Sequence, residues 1–155
     1  STQAKTLFPY TTLFRSLMIY GYGAARVDSA WLYTPPTWSR HTAFALMLPV
    51  FVLLAAAYIP GRIRQRLGHP MLMAVVLWSA AHLLANGRVA DVVLFGSFLV
   101  WSLLDWLSMA WRSERTIRRL PGGKWNDAIA VVVGLAAYVL FAFYLHGWIT
   151  GVPLA

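Results

Sequence analysis

The chain has 155 residues, of which 59% are hydrophobic and 12% are charged, and it contains no cysteine. Soluble domains average roughly 45–50% apolar and about 25% charged residues, so this balance predicts a membrane protein. Without cysteine the chain has no disulfide, no thiolate nucleophile and no cysteine-ligated zinc or iron–sulfur site. The formal charge of +8 comes from basic residues that lie between long apolar runs rather than on one face, so we expect no nucleic-acid partner.

The N-terminal stretch "TLFPYTTLFRS", residues 6–16, fits neither a signal peptide nor a clean helical or strand period. A widely used short-read sequencing adapter, translated in frame, gives the same run of residues. We therefore interpret residues 1–16 as an artefactual segment and expect the native domain to comprise residues 17–155. The alternative is a genuine N-terminal tail.

The rest of the chain predicts an all-α fold, a polytopic transmembrane helix bundle. A helix needs about 20 apolar residues to cross roughly 30 Å of hydrocarbon. The runs that approach this length are residues 41–60, 70–85, 89–111 and 128–149. Residues 17–25 span only about half a bilayer, and we interpret them as the remnant of a helix whose start is missing. The sequence thus predicts four full transmembrane helices and one remnant, in a single membrane domain.

The connections between these runs predict the orientation, because Lys and Arg are retained on the cytoplasmic side. Two alternate connections carry eight basic residues: Arg62, Arg64, Arg66, Arg112, Arg115, Arg118, Arg119 and Lys124. The other connections carry only three: Arg26, Arg40 and Arg88. This asymmetry places the C-terminus on the outer side of the membrane.

Histidines are the most informative side chains, because ligand-capable groups are rare inside bilayers and indicate function there. Trp78, His82 and Asn86 share one helical face, so His82 is predicted to point inward. His146 belongs to a stripe of mainly small and polar residues, which indicates a packed, inward face. The stripe comprises Ala130, Gly134, Tyr138, Ala142, His146 and Thr150. Two inward imidazoles at similar depth are suited to the axial ligation of haem b, with His82 and His146 as the iron ligands.

Each of these residues also has a structural interpretation. An inward histidine often bonds only a neighbouring backbone carbonyl or hydroxyl. His69, a further candidate ligand, precedes Pro70 and fits an ordinary helix start. His41, beside Arg40, is most simply a residue at the level of the lipid headgroups.

Several blocks of the sequence resemble the NnrU family of bacterial integral membrane proteins. They are "LYTPPTWSRH", "LPGRIRQRLGHPML", "LWSAAHLLANG", "LFGSFLVWSLLD", "NDAIAVVVGLAAYVLF" and "LHGWITGVPL". The fragment "IYGYGAAR" resembles the end of the second helix of that family, so a preceding helix with its own histidine is expected to be missing. The resemblance covers residues 17–155 and implies a multi-pass protein of the bacterial inner membrane, in which the outer side predicted for the C-terminus is the periplasmic side.

The resemblance also implies what the protein does. The family is associated with nitrite and nitric oxide reduction, and it is similar to 15-cis-zeta-carotene isomerase, a membrane enzyme that uses haem b with histidine ligation. On that precedent, His82 is the best axial ligand, His69 matches a second family histidine, and the other ligand is His146 or a residue of the missing helix. The expected function is therefore haem-dependent isomerisation of a hydrophobic polyene or nitric oxide chemistry. The alternative is a non-enzymatic accessory protein for denitrification reductases, with structural histidines.

Overall fold

The computed structural model describes residues 2–111 and 122–152, and the described part is all-helical. The helices are α1 (Thr2–Val27), α2 (Thr37–Tyr58), α3 (Arg62–Leu67), α4 (Pro70–Ala85), α5 (Val89–Trp111), α6 (Asn126–Leu140) and α7 (His146–Thr150). A π-helical turn, Phe141–Leu145, joins α6 to α7 without a break. The basic residues Arg112, Arg115, Arg118 and Arg119 lie outside the described residues.

Three helical segments in the described residues are long and apolar enough to cross a membrane: Thr37–Tyr58, Val89–Met109 and Asn126–Thr150. α4 begins and ends as the sequence predicts, but its 16 residues are about 24 Å long, less than the roughly 30 Å of hydrocarbon. The multi-pass architecture is therefore supported. The expected count of four full spans is not confirmed, because only three helices of the described residues have the length of a span. The residues of α3, Arg62–Leu67, were expected to belong to a connection, and in the structure they form a short helix.

α1 is longer than the nine-residue remnant that the sequence predicts. It runs through residues 6–16, where no helical period was recognised. Its described side chains up to Arg15 are exposed, and its contacts with the bundle involve α5. Residues 10–15 form an exposed part of the helix, so this stretch of the sequence shows no face of buried residues.

Local sequence explains where the other helices begin and end. Pro36 precedes α2 in an extended conformation, and its carbonyl accepts hydrogen bonds from the Ser39 backbone and hydroxyl. Gly68 ends α3 at a φ of 72°, a conformation that favours glycine. Pro70 then occupies the first position of α4, where its missing N–H has no cost.

The long helices contact one another in the order α6, α2, α4, α5, α1. A small core of Val50, Leu53 and Ala74 lies between α2 and α4. α6 approaches α2 closely through Gly134, where a Cβ would lie 2.5 Å from the Cα of Val52. Ala130 and Ala142 of the same stripe are buried, so the stripe of small residues is the packing face of α6, as expected.

Most large apolar side chains face outward, which fits contact with lipid. Five exposed tryptophans lie near helix ends, where amphipathic rings meet the interface between hydrocarbon and water. They are Trp31, Trp38, Trp111, Trp125 and Trp148, while Trp101 and Trp106 are exposed along α5 itself. We call the end that contains the C-terminus of α4 and the N-terminus of α5 the histidine end. The opposite end, which contains α3 and the N-terminus of α6, is the basic end.

Candidate functional site

α4 places His82 at the histidine end. The rings of Trp78 and His82 lie on one face of the helix with their centroids 5.0 Å apart, as the spacing predicts. Both the backbone N–H and the side-chain amide of Asn86 donate to the carbonyl of His82, at 2.9 and 3.0 Å. The helix therefore stops shortly after His82, and these bonds fix the backbone that carries the imidazole.

The imidazole of His82 is held by a hydrogen bond and by aromatic packing. Its Nδ1 lies 2.8 Å from the carbonyl oxygen of Trp78, which can only accept, so Nδ1 carries the proton. Phe95 of α5 stacks on the ring with a centroid distance of 4.5 Å and an interplanar angle of 29°. Nε2 forms no hydrogen bond with the described residues and keeps its lone pair, which is the donor that a metal ligand needs.

His146 also has its Nδ1 bonded to a backbone carbonyl, but the carbonyl comes from a residue later in the chain. It follows the π-helical turn, and Gly151 then reverses the chain at a φ of 71°. This reversal brings the carbonyl of Val152 to 2.9 Å from Nδ1, which donates to it. Thr150 Oγ1 lies 3.3 Å from the same nitrogen, and the edge of the Phe141 ring packs on the imidazole at 5.9 Å. Nε2 of His146 is again the atom without a hydrogen-bond partner among the described residues.

His82, near the C-terminus of α4, and His146, at the start of α7, lie at the same end of the bundle, and α2 packs between α4 and α6. His69 lies at the other end of α4. His69 precedes α4 and lies thirteen residues before His82, about 20 Å along the helix. His41 is exposed near the start of α2. His82, His146 and His41 therefore lie at the histidine end, and His69, before the first turn of α4, lies at the basic end.

Imidazole nitrogen, the donor type that His82 and His146 each present, is a common ligand of haem iron. A backbone carbonyl bonded to Nδ1 fixes the tautomer and ring orientation and makes Nε2 a better donor. Groups of three or more histidine, cysteine, aspartate or glutamate side chains that could hold a bare metal ion are absent from the described ranges, 2–111 and 122–152. Haem needs only two axial donors from the protein, because the macrocycle supplies the others.

A buried carboxylate lies beside this pair and was not predicted from the sequence. Asp91, in the first turn of α5, is 3% exposed and accepts a hydrogen bond of 2.5 Å from the Tyr22 hydroxyl. Tyr22 also meets the edge of Phe95, at 6.4 Å. Phe95 in turn stacks on His82, so the Tyr22–Asp91 pair from α1 and α5 lies next to the aromatic packing around that imidazole. Acidic residues are common in first helical turns, where they stabilise the helix dipole, so the position of Asp91 in the chain carries no signal of burial.

The loop before α2 clamps the end of α4 that carries His82. The backbone N–H groups of Leu32 and Tyr33 both donate to the carbonyl of Gly87, at 2.8 and 3.2 Å. The Tyr33 hydroxyl donates to the carbonyls of Leu83 and Asn86, the latter at 2.8 Å. Burial raises the pKa of the Tyr33 phenol, and the negative charge of Asp91 raises it further. These bonds fix the C-terminal turn of α4 and with it the position of the imidazole.

Comparison with known proteins identifies the family. The family model described as NnrU protein matches residues 6–154. The chain belongs to the NnrU family. The match confirms the resemblance that the sequence blocks indicate. The matched range begins at residue 6, inside the segment whose sequence equals the translated sequencing adapter. The artefact interpretation of residues 1–16 stays a prediction, since a match of this kind does not test it. Among curated proteins and solved structures, no match to this NnrU chain was found.

Proposed function

We propose that this NnrU-family protein binds haem b within the membrane through Nε2 of His82, with Nε2 of His146 as the second axial ligand. The observation that carries the proposal is the shared state of the two imidazoles. Each Nδ1 is held by a backbone carbonyl, at 2.8 and 2.9 Å, which leaves each Nε2 as a lone-pair donor.

When bound, haem b supplies an iron centre that exchanges one electron and accepts a small or unsaturated ligand at an axial position. The chain orients its donors and keeps water away from them. Trp78 and Phe95 flank His82 with rings 5.0 and 4.5 Å away, so one side of the imidazole is apolar. Val152 holds the ring of His146 through its carbonyl. In the bound state, His82 and His146 would hold the haem, and these contacts would fix the orientation of both rings.

The substrate we propose is an apolar molecule that reaches the site through the bilayer. The predominantly apolar outer surface of the helices fits such a route. Family membership and the similarity to 15-cis-zeta-carotene isomerase support two reactions of this kind. One is cis–trans isomerisation of a hydrophobic polyene, such as a carotenoid, and the other is a step in nitrite or nitric oxide metabolism.

A second candidate function is supported by the same hydrogen bonds. The bond from His82 to the carbonyl of Trp78, four residues earlier, and the bond from His146 to Val152 each satisfy an imidazole without a cofactor. In this alternative the histidines only fix helix ends. The protein would then be a non-enzymatic membrane accessory for the assembly or regulation of denitrification reductases.

An absorption spectrum distinguishes the two candidates. The chain is expressed in haem-replete cells, purified in detergent and measured in the oxidised and dithionite-reduced states. The first candidate predicts a b-type spectrum that is lost in His82→Asn and weakened or shifted in His146→Asn. Asparagine retains an N–H donor near the position of Nδ1, so the fold keeps its hydrogen bond to the backbone carbonyl.

His41→Asn and His69→Asn are the matched controls, because His41 is exposed near the start of α2 and His69 lies about 20 Å along the helix from His82. They are expected to keep the spectrum. A colourless wild-type protein of normal thermal stability, or equal loss of pigment in all four variants, would refute the haem proposal. Stable, colourless protein that copurifies with a denitrification reductase would support the accessory role.

We also propose that the protein lies in the bacterial inner membrane with its C-terminus on the periplasmic side. The proposal is supported by the eight basic residues in two alternate connections against three in the others. A C-terminal alkaline phosphatase fusion, active only outside the cytoplasm, is expected to be active. A fluorescent C-terminal green fluorescent protein fusion would contradict this orientation.

A further inference from the structure

The basic end contains a cavity of about 310 Å³, within the range of roughly 300–1,000 Å³ for ligand pockets. It forms where the turn after α2 meets the turn before α6. Two glycines permit this approach. A Cβ on Gly122 would lie 2.9 Å from the carbonyl oxygen of Pro60, and a Cβ on Gly61 would collide with the carboxylate of Asp127. The cavity is thus built by a close contact of two backbone turns rather than by flexible side chains alone.

Two cations line this cavity, Arg62 and Lys124. In the described part of the chain, neither side chain has a hydrogen bond or an ion pair. Gln65 adds a neutral amide with two N–H donors. The lining carboxylate, Asp127, has its Oδ1 occupied by the backbone N–H of Ile63 at 3.1 Å. Among the described residues the cavity therefore presents unpaired positive charge and free donors, the chemistry that binds a phosphate group.

The position of the cavity identifies the source of that phosphate. Two of the candidate membrane spans have an end here, α2 at Tyr58 and α6 at Asn126. Trp125, which is 69% exposed, lies beside Lys124 and marks the level of the lipid headgroups. Arg64 and Arg66 of α3 add positive charge at the same level. Basic pockets at this depth recognise the headgroups of anionic lipids.

We propose that this cavity is a binding site for the phosphate of an anionic phospholipid headgroup, held by Arg62 and Lys124. The site is about a bilayer thickness away from the histidine pair and does not depend on haem. Its role is to hold the turns at the ends of α2 and α6 in register with the membrane surface.

Native mass spectrometry of the purified full chain tests the proposal, with phosphatidylglycerol and phosphatidylcholine titrated separately into detergent. Phosphatidylglycerol is expected to bind more tightly than phosphatidylcholine. The double variant Arg62→Gln/Lys124→Gln is expected to lose about 30-fold in affinity for phosphatidylglycerol. The control Arg64→Gln/Arg66→Gln removes the same charge from the same end but does not line the cavity, so it is expected to keep the preference.

Three results would overturn the proposal. Equal affinity for the two lipids would show that the cavity does not select an anionic headgroup. Equal losses of affinity in both double variants would show that general surface charge, not the cavity, binds the lipid. Inorganic phosphate or glycerol phosphate that competes as strongly as phosphatidylglycerol would assign the cavity to a soluble anion. Circular dichroism confirms that the variants fold, which keeps a loss of binding separate from a loss of structure.

Discussion

The contact between α2 and α6 allows a sharp test through Gly134. An alanine Cβ at this position would lie 2.5 Å from the Cα of Val52 and 2.7 Å from its N, where ordinary contacts begin at 3.4 Å. These atoms are backbone, so they cannot rotate away, and the two helices must separate by roughly 1 Å. A gap of 0.5–1 Å removes about a quarter to a half of the dispersion energy across a contact.

Overpacking of this kind costs about 1–3 kcal/mol. Gly96→Ala is the matched control, because Gly96 lies inside α5 and its added Cβ meets nothing within 4 Å. Both substitutions gain the same helix propensity, so the difference between them isolates the steric cost. We expect Gly134→Ala to unfold at lower SDS mole fraction than Gly96→Ala, measured by far-ultraviolet circular dichroism, with a free energy of unfolding about 1–3 kcal/mol lower. Equal stabilities, within about 0.5 kcal/mol, would refute the close approach of α6 to α2.

The other predictions concern the two loop contacts at opposite ends of the bundle. Gly87→Ala places a Cβ against the carbonyl of Tyr33, and we expect the SDS titration to show a loss of about 1–3 kcal/mol that Gly96→Ala does not show. Asp127→Ala removes the carboxylate that accepts from the Ile63 backbone, and we expect a loss of about 0.5–2 kcal/mol, with Asp127→Asn close to wild type. The Tyr33 phenol has a pKa above its ordinary value of 10.0. In an ultraviolet pH titration, the phenolate absorbance that wild type shows and Tyr33→Phe lacks is therefore expected to appear above pH 10. Its contribution to stability is present below pH 10 and is lost as the pH rises through the folded-state pKa, and a phenolate signal at or below pH 10 would contradict the raised pKa.

Much of the fold was predictable from hydropathy and from the proline and glycine residues that begin or end helices. α4 and α5 have the predicted bounds, because Pro70 and the "NGR" turn leave little choice of where each helix begins. The small-residue stripe predicted the packing face of α6, since only small side chains let two backbones approach. The helical state of residues 6–16 was not predicted, because the exposed stretch within it, residues 10–15, shows no period of buried residues.

The site was predictable only in part. Helical spacing placed Trp78 and His82 on one face, and the structure shows the two rings in contact. The burial of Asp91 was not predictable, because its partner Tyr22 lies 69 residues away in the chain. The carbonyl of Val152 that holds His146 comes from a reversal at Gly151, and a single glycine in the sequence does not indicate in which direction the chain turns.

The sequence by itself determined the membrane environment, the helical class and the family, because composition, run length and local blocks are properties of short segments. Only the tertiary structure decided which carbonyl holds the imidazole of His146, which residues pack on His82, and which charges share a cavity. The last two depend on contacts between segments far apart in the chain, such as the stacking of Phe95 from α5 on His82 from α4. Helical periodicity fixes the face on which a side chain lies, but the neighbour it meets there is set by how the helices pack.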